Sequence, residues 1–185
     1  MKKVKIISIG GVAGTGKTTI ARELTYRYGI YHRLGTGFLR EAVKSMNGDK
    51  VLDCHTYRVS CENAYNHLRR QTDILKKPIN ACIDRAIKEG TSLILEGSHM
   101  IPWELECKKD IIPFVLYVSD RQYHLKLLNG KSHKNRSITE EQFQRIREMQ
   151  ESLIYLAQQE KVPLVDSGRN LKEVLYDVEK FLLKK

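Results

Sequence analysis

Apolar residues along this chain switch repeatedly between continuous runs and helical recurrence. Val4, Ile6, Ile7 and Ile9 form a run suited to a strand buried on both faces, from about Lys3 to Ile9. Ile20, Ala21, Leu24 and Tyr28 then recur at helical spacing, and Gly29 stands where a helix ends. Ile30 to Leu34 reads as a second strand. Phe38, Leu39, Ala42, Val43 and Met46 mark a helix closed near Asn47-Gly48. The pattern weakens from Asp49 to Ser60, which reads as a loop with a short helix. Ala64, Leu68, Ile74, Leu75, Ile79, Ile83 and Ile87 mark one or two long helices closed by Gly90, and Pro78 predicts a kink or a break at Lys77.

The second half repeats the alternation. Ser92–Glu96 and Phe114–Val118 read as buried strands, and Arg121–Leu128 as a helix. Asn129–Arg136 is loop-like. Thr139 followed three residues later by Gln142 forms a capping box at the start of a long amphipathic helix. Val162–Val165 is a last strand and Leu171–Leu183 a final helix capped by Asn170. Five apolar strands alternating with helices predict an α/β fold. This is a five-stranded parallel sheet with helices on both faces and a helical lid over about 121–147. A chain of 185 residues is expected to form one such domain. In such sheets ligands bind at the carboxyl ends of the strands, which gathers the segments after strands one to four at one edge.

The first of those segments carries the sharpest signal. Gly11-Val12-Ala13-Gly14-Thr15-Gly16-Lys17-Thr18, followed by Thr19, has the G-x-x-x-x-G-K-[ST] spacing between a strand and a helix. The glycines let successive backbone N–H groups turn inward onto phosphate oxygens, and the helix start adds unpaired donors and a positive dipole end. Lys17 can reach the β/γ-phosphates and the Thr18 hydroxyl can bind Mg²⁺, so the motif makes the expected α/β fold one of the P-loop NTPase type.

Other candidates follow from position at the same edge. Glu96, at the end of the third strand, is placed to hold Mg²⁺ or to accept a hydroxyl proton. Thr36, Gly37 and Arg40 follow the second strand, and an arginine there suits a carboxylate or phosphate of an acceptor within a region of about 35–90. His99 is a candidate for acceptor binding or proton relay. A basic concentration runs from Arg121 to Arg147, with Lys126, Lys131, Lys134, Arg136 and Arg145 between, and Gly130 is available as a hinge. Arg136 and Arg147 are the candidates for closing over transferring phosphate, and Lys131 and Lys134 for surface.

Composition changes this picture little. The formal charge is +10, with lysine and arginine scattered from Lys2 to Lys185. No basic stripe interleaved with aromatics appears, which argues against nucleic acid as the partner. Cys54, Cys61, Cys82 and Cys107 form no C-x-x-C pair, so reduced thiols are expected rather than zinc or a disulfide framework. With no apolar run of membrane-spanning length and no signal-peptide pattern, a cytoplasmic protein is expected.

Beyond the P-loop, three stretches give the chain a family likeness: Thr36–Glu41 with Arg40; Gln71–Gly90 leading into LILEGSHMIP (Leu93–Pro102); and IREMQESLIYLAQQEKVPLVD (Ile146–Asp166). Glu96-Gly97-x-His99 followed by Pro102 is the distinctive part. The sequence resembles 2-phosphoglycerate kinase and its relatives among P-loop small-molecule kinases, in a short form without the N-terminal extension of the longer members. That resemblance implies ATP as donor, Mg²⁺ as metal and a small phosphorylated or carboxylated acid as acceptor. The segment after the second strand commonly carries an acidic residue in the family, and here Gly37 and Phe38 stand there. Gly35–Arg40 also resembles the monophosphate-binding turn of adenylate-kinase-like enzymes, so a nucleoside or nucleoside-monophosphate kinase is the alternative. A nucleotide-dependent, RNA-associated switch is the third reading. Oligomeric state is not encoded in any of these features.

Overall fold

A computed structural model describes residues 4–59, 63–103, 111–130 and 137–183. Five strands, β1 (Ile6–Gly10), β2 (His32–Gly35), β3 (Leu93–Glu96), β4 (Ile111–Tyr117) and β5 (Leu164–Asp166), form one sheet in the order β2-β3-β1-β4-β5. Every pairing is parallel. Six helices accompany them among the described residues: α1 (Lys17–Tyr28), α2 (Thr36–Asn47), α3 (Ala64–Glu89), α4 (Arg121–Leu128), α5 (Glu140–Gln159) and α6 (Leu171–Leu183). Two short 3-10 turns, Lys50–Leu52 and Thr56–Arg58, occupy the segment of weak pattern.

Side-chain alternation along the strands divides the core. Ile7 and Ile9 of β1, Ile94 of β3 and Phe114 of β4 face α1 and α6, packing on Ile20, Leu24, Val174 and Val178. Ile6, Leu93 and Leu95 face the opposite way, onto Val43 of α2 and Leu75, Ile79 and Ile83 of α3. A third cluster joins Val12 to Leu128 of α4 and Phe143, Ile146 and Met149 of α5. The sheet is therefore covered on both faces, as continuous apolar strands require.

Two local expectations are revised. α3 runs unbroken through Pro78, where a break was a predicted alternative. An interior proline costs a helix about 3 kcal/mol. Leu75, Ile79 and Ile83 are fully buried around it and hold the helix on the sheet. β4 begins at Ile111 and includes Pro113, earlier than predicted. Val115 donates to Pro163 O on the β5 side, and residues two apart in a strand face the same way. The nitrogen of Pro113 thus points to that side, one step before the β5 pairing starts at Val115, so no ladder donor is lost.

Candidate active site

The P-loop links β1 to α1 at the carboxyl edge of the sheet. Within it Thr15 donates to Val12 O at 2.9 Å, and Lys17 Nζ lies 2.5 Å from the same carbonyl and 3.4 Å from Thr15 Oγ1. The loop is braced from outside at two points. Ser167, just after β5, donates to Thr15 O at 2.9 Å. His124 of α4 contacts Ala13 O through Nε2 at 2.8 Å. A carbonyl only accepts, so that nitrogen carries the proton.

Glu96 sits beside this loop because β3 is the immediate neighbour of β1, with Ile9 opposite Glu96. Its Oε1 accepts from Thr18 Oγ1 at 2.9 Å across 78 residues of sequence. The two proposed metal-binding oxygens are thereby adjacent. The next residue, Gly97, has φ +153°, and a Cβ there would lie 1.8 Å from Thr36 Oγ1. Only glycine lets Thr36 close against this turn.

One cleft of about 560 Å³ unites the P-loop with the acceptor side. Lys17, Thr18, Glu96, Thr36, Gly37, Arg40 and His99 all line it. Residues that sequence patterns did not single out line it as well: Arg22 on α1, His55 and Tyr57 around the second 3-10 turn, and Gln71 on α3. The rings of His55 and Tyr57 stack at 5.2 Å. Their segment has no clear periodicity, and Gln71 reads as an ordinary helical polar residue, so neither carried a signal.

Arg40 is 7% exposed, with its guanidinium near Cys54 O (3.5 Å) and His55 Nδ1 (3.4 Å) and ion-paired to Glu41. The hydrogen bond from Arg40 holds the Glu41 carboxyl below the usual carboxylate range. His99 is buried, with Nδ1 3.0 Å from Thr36 Oγ1 and Nε2 2.9 Å from Gln71 Oε1.

Of the two predicted lid arginines, Arg147 is among the described residues. Arg147 is not in the cleft, contrary to expectation. Its guanidinium donates to Val118 O at 2.6 Å and approaches Ser119 O and His124 Nδ1 at 3.4 Å. Satisfied by carbonyls behind the P-loop, it braces the end of β4. Arg121 pairs with Glu140, donates to Gln144 at 3.1 Å and lies 4.6 Å from the Phe143 ring centroid. Arg145 contacts Val59 O and pairs with Glu141 at 2.6 Å. Arg136, Lys131 and Lys134 lie outside the described residues, as do Cys61 and Cys107.

Burial pushes the His99 pKa down to about 3, with the nearby Arg40 and Lys17 charges adding to it. It pushes His124 down to about 4, against the opposing hydrogen bond to Ala13. Both rings are therefore neutral at pH 7, and His99 cannot be a proton relay there without a large change in its surroundings. Because both folded-state values lie below the unfolded value near 6.5, stability is complete above pH 6.5 and declines as pH falls below it. The expected loss is about 1.4 kcal/mol per pH unit for each ring, or ~2 kcal/mol each at pH 5. Thermal unfolding at pH 7 and pH 5 should show it, with a shallower dependence in His124→Gln; equal pH dependence in the two proteins would contradict it.

With the geometry in place, comparison with known proteins is informative. A 2-phosphoglycerate kinase from Pyrococcus furiosus is 30% identical over 179 residues, covering 88% of this chain and 59% of that protein. The counterpart from Thermococcus kodakarensis is 25% identical over 181 residues, covering 90% and 62%. This chain is similar to the 2-phosphoglycerate kinases. It spans about three fifths of the length of these curated relatives. A shorter alignment, 115 residues and 55% of this chain, reaches 35% identity with the 2-phosphoglycerate kinase of Pyrococcus horikoshii and covers 38% of it. No family model matches. Among solved structures, a gluconokinase from Sinorhizobium meliloti superposes with a TM-score of 0.56 at 12% identity, covering 98% of this chain and 93% of the other. That likeness shows a shared P-loop kinase fold. No helix among the described residues is long and apolar enough to cross a membrane.

Proposed function

We propose that this protein is a kinase that transfers the γ-phosphoryl group of ATP to a hydroxyl of a small anionic acceptor, with 2-phosphoglycerate or a related acid as that acceptor. The observation that carries the reading is the continuity of one cleft from Lys17 and the Thr18–Glu96 pair to Arg40. Phosphoryl transfer needs both ends at once, because its catalysis is mostly positioning and neutralisation of spread negative charge. The sequence likeness to 2-phosphoglycerate kinases supports the choice of acceptor.

The roles follow from placement. The backbone from Gly11 to Thr19 cradles the triphosphate, and Lys17 stands at its β/γ end. The paired oxygens of Thr18 and Glu96 fit a hard divalent cation that keeps most of its own waters, so they would hold Mg²⁺. That ion, when bound, shields phosphate charge and aligns the oxygens. Arg40 and Arg22 are cationic cleft residues beyond the P-loop lysine, and they favour an acceptor carrying negative charge. Arg40 brings a guanidinium whose Nε–Nη2 edge now pairs with Glu41, so an acceptor anion would exchange with that carboxylate while Nη1 stays near Cys54 O. The basic residues Arg121, Arg145 and Arg147 are each engaged by carboxylates or backbone carbonyls of the protein itself, which supports a small-molecule acceptor rather than nucleic acid.

The test is phosphate transfer from ATP and Mg²⁺ to a panel of 2-phosphoglycerate, other sugar acids, nucleosides, nucleoside monophosphates and a no-acceptor control. Saturable transfer to 2-phosphoglycerate is expected. Transfer to nucleotides alone would select the adenylate-kinase-like alternative, and acceptor-independent hydrolysis across the panel would favour a switch. Arg40→Met should raise the acceptor KM by about 10- to 100-fold, the worth of a hydrogen bond to a charged group, and leave the ATP KM nearly unchanged. An unchanged acceptor KM would remove Arg40 from the acceptor site.

A further inference from the structure

We infer that Gln71 is a positioning residue that sets the acceptor half of the cleft, holding Arg40 and Thr36 in register through one buried amide. The inference rests on the kinase reading above and adds a residue that neither sequence patterns nor the comparisons single out.

Gln71 is fully buried on α3, where the inward face is mostly apolar and Gln71 sits between the buried polar residues His67 and Thr72. Its Nε2 lies 2.6 Å from Val51 O and 3.0 Å from Cys54 O. Two carbonyls can only accept, so the amide NH₂ must face them. Its oxygen is then turned to His99 Nε2 at 2.9 Å, which must carry the ring proton. His99 Nδ1 is left as an acceptor and takes the hydroxyl proton of Thr36 at 3.0 Å. The direction of every bond in the chain from Val51 to Thr36 follows from those two carbonyls. A further neighbour, His67 Nε2, lies 3.2 Å from the same amide nitrogen.

The two ends of this relay meet on one helix. Thr36 and Arg40 lie four residues apart on α2 and so share a face. Thr36 is anchored by His99 and pressed against Gly97. Arg40 is anchored by Cys54 O, the same carbonyl that accepts from Gln71. Gln71 therefore fixes the first turn of α2 at its start and, through the wall opposite, fixes the guanidinium one turn later. Burying a neutral amide with both sides satisfied gives this rigidity without placing another charge beside the acceptor.

Gln71→Met keeps the volume and removes the bonds. It should raise the KM for 2-phosphoglycerate about 10-fold or more while the ATP KM stays within about 2-fold, because only acceptor-side geometry is lost. In an Arg40→Met background the same change should add little, since residues acting as one unit are not additive. Equal movement of both KM values, or full additivity with Arg40→Met, would overturn the inference. If Gln71→Met does not fold, Gln71→Leu serves. It is neutral, offers no bond to His99, Val51 or Cys54, and should give the same selective KM change. A wild-type protein that does not phosphorylate 2-phosphoglycerate defeats the acceptor assignment instead, and the relay is then read directly by imidazole nuclear magnetic resonance. In that case His99 should be the Nε2–H tautomer with a slowly exchanging proton in wild type and should lose that protection in Gln71→Met. An unchanged His99 signal would overturn the inference independently of any acceptor.

Discussion

Replacing Lys17 by alanine is expected to lower kcat for phosphoryl transfer on the order of 10³-fold in a protein that stays folded. The catalytic loss would come from removing the P-loop's one fully charged cation, proposed above to stand at the β/γ end of the triphosphate. The fold should survive because of how the loop is tied. Lys17 Nζ sits on Val12 O, but that carbonyl also accepts from the buried Thr15 hydroxyl. Ser167 and His124 hold the loop at Thr15 O and Ala13 O without involving Lys17. Single-turnover transfer and thermal unfolding, measured together, check the claim. A folded Lys17→Ala protein with near-normal transfer would exclude the mechanism proposed above. A large loss of stability would mean that the lysine serves the loop more than the phosphate.

The second large effect is expected at Glu96. Glu96→Gln preserves shape and still offers Thr18 an oxygen to donate to, so the 2.9 Å contact between them can persist. What is lost is one negative charge at the place proposed for Mg²⁺. A fall in kcat on the order of 10²-fold is expected, partly recovered at raised Mg²⁺ or Mn²⁺, because the charge contributes metal affinity. Glu96 ends β3 and Thr18 opens α1 after the adjacent strand β1, and this arrangement favours the metal role over proton abstraction. Titrating the divalent ion at saturating ATP and acceptor separates the two. Activity that stays low at all metal concentrations, with a changed pH–rate profile, would assign Glu96 to the proton instead.

The first of these effects lies in the part of the site that consecutive residues encode. The P-loop is legible because its chemistry is local, and so are its neighbours on either side. β1 reads as an apolar run, and the ends of α1, α2 and α3 are marked by Gly29, Gly48 and Gly90, each observed at the helix end. The capping box at Thr139 and Gln142 was equally readable and is formed. Glu96 could be chosen from position alone, since strand ends of a parallel sheet share one edge. The strand order sets β3 against β1, which puts Glu96 beside the P-loop.

Other assignments depended on partners that sequence spacing does not reveal. Arg147 looked like a lid residue because it is basic and near a loop, yet the backbone carbonyls of Val118 and Ser119 claim its guanidinium. His99 looked like a cleft histidine that titrates, yet burial keeps it neutral and a glutamine 28 residues away sets its tautomer. Pro78 carried a local signal for breaking a helix, which the packing of Leu75, Ile79 and Ile83 overrides. The sheet-and-helix alternation, the phosphate loop and the candidate ligand edge can be read from local pattern, because the strands, helices and loop that define them depend on side chains a few residues apart. Which cations face the cleft, and how Gln71, His99, Thr36 and Arg40 connect, became visible once the chain was folded. Those bonds span up to 63 residues, and their direction is set by buried carbonyls whose positions exist only once the sheet has formed.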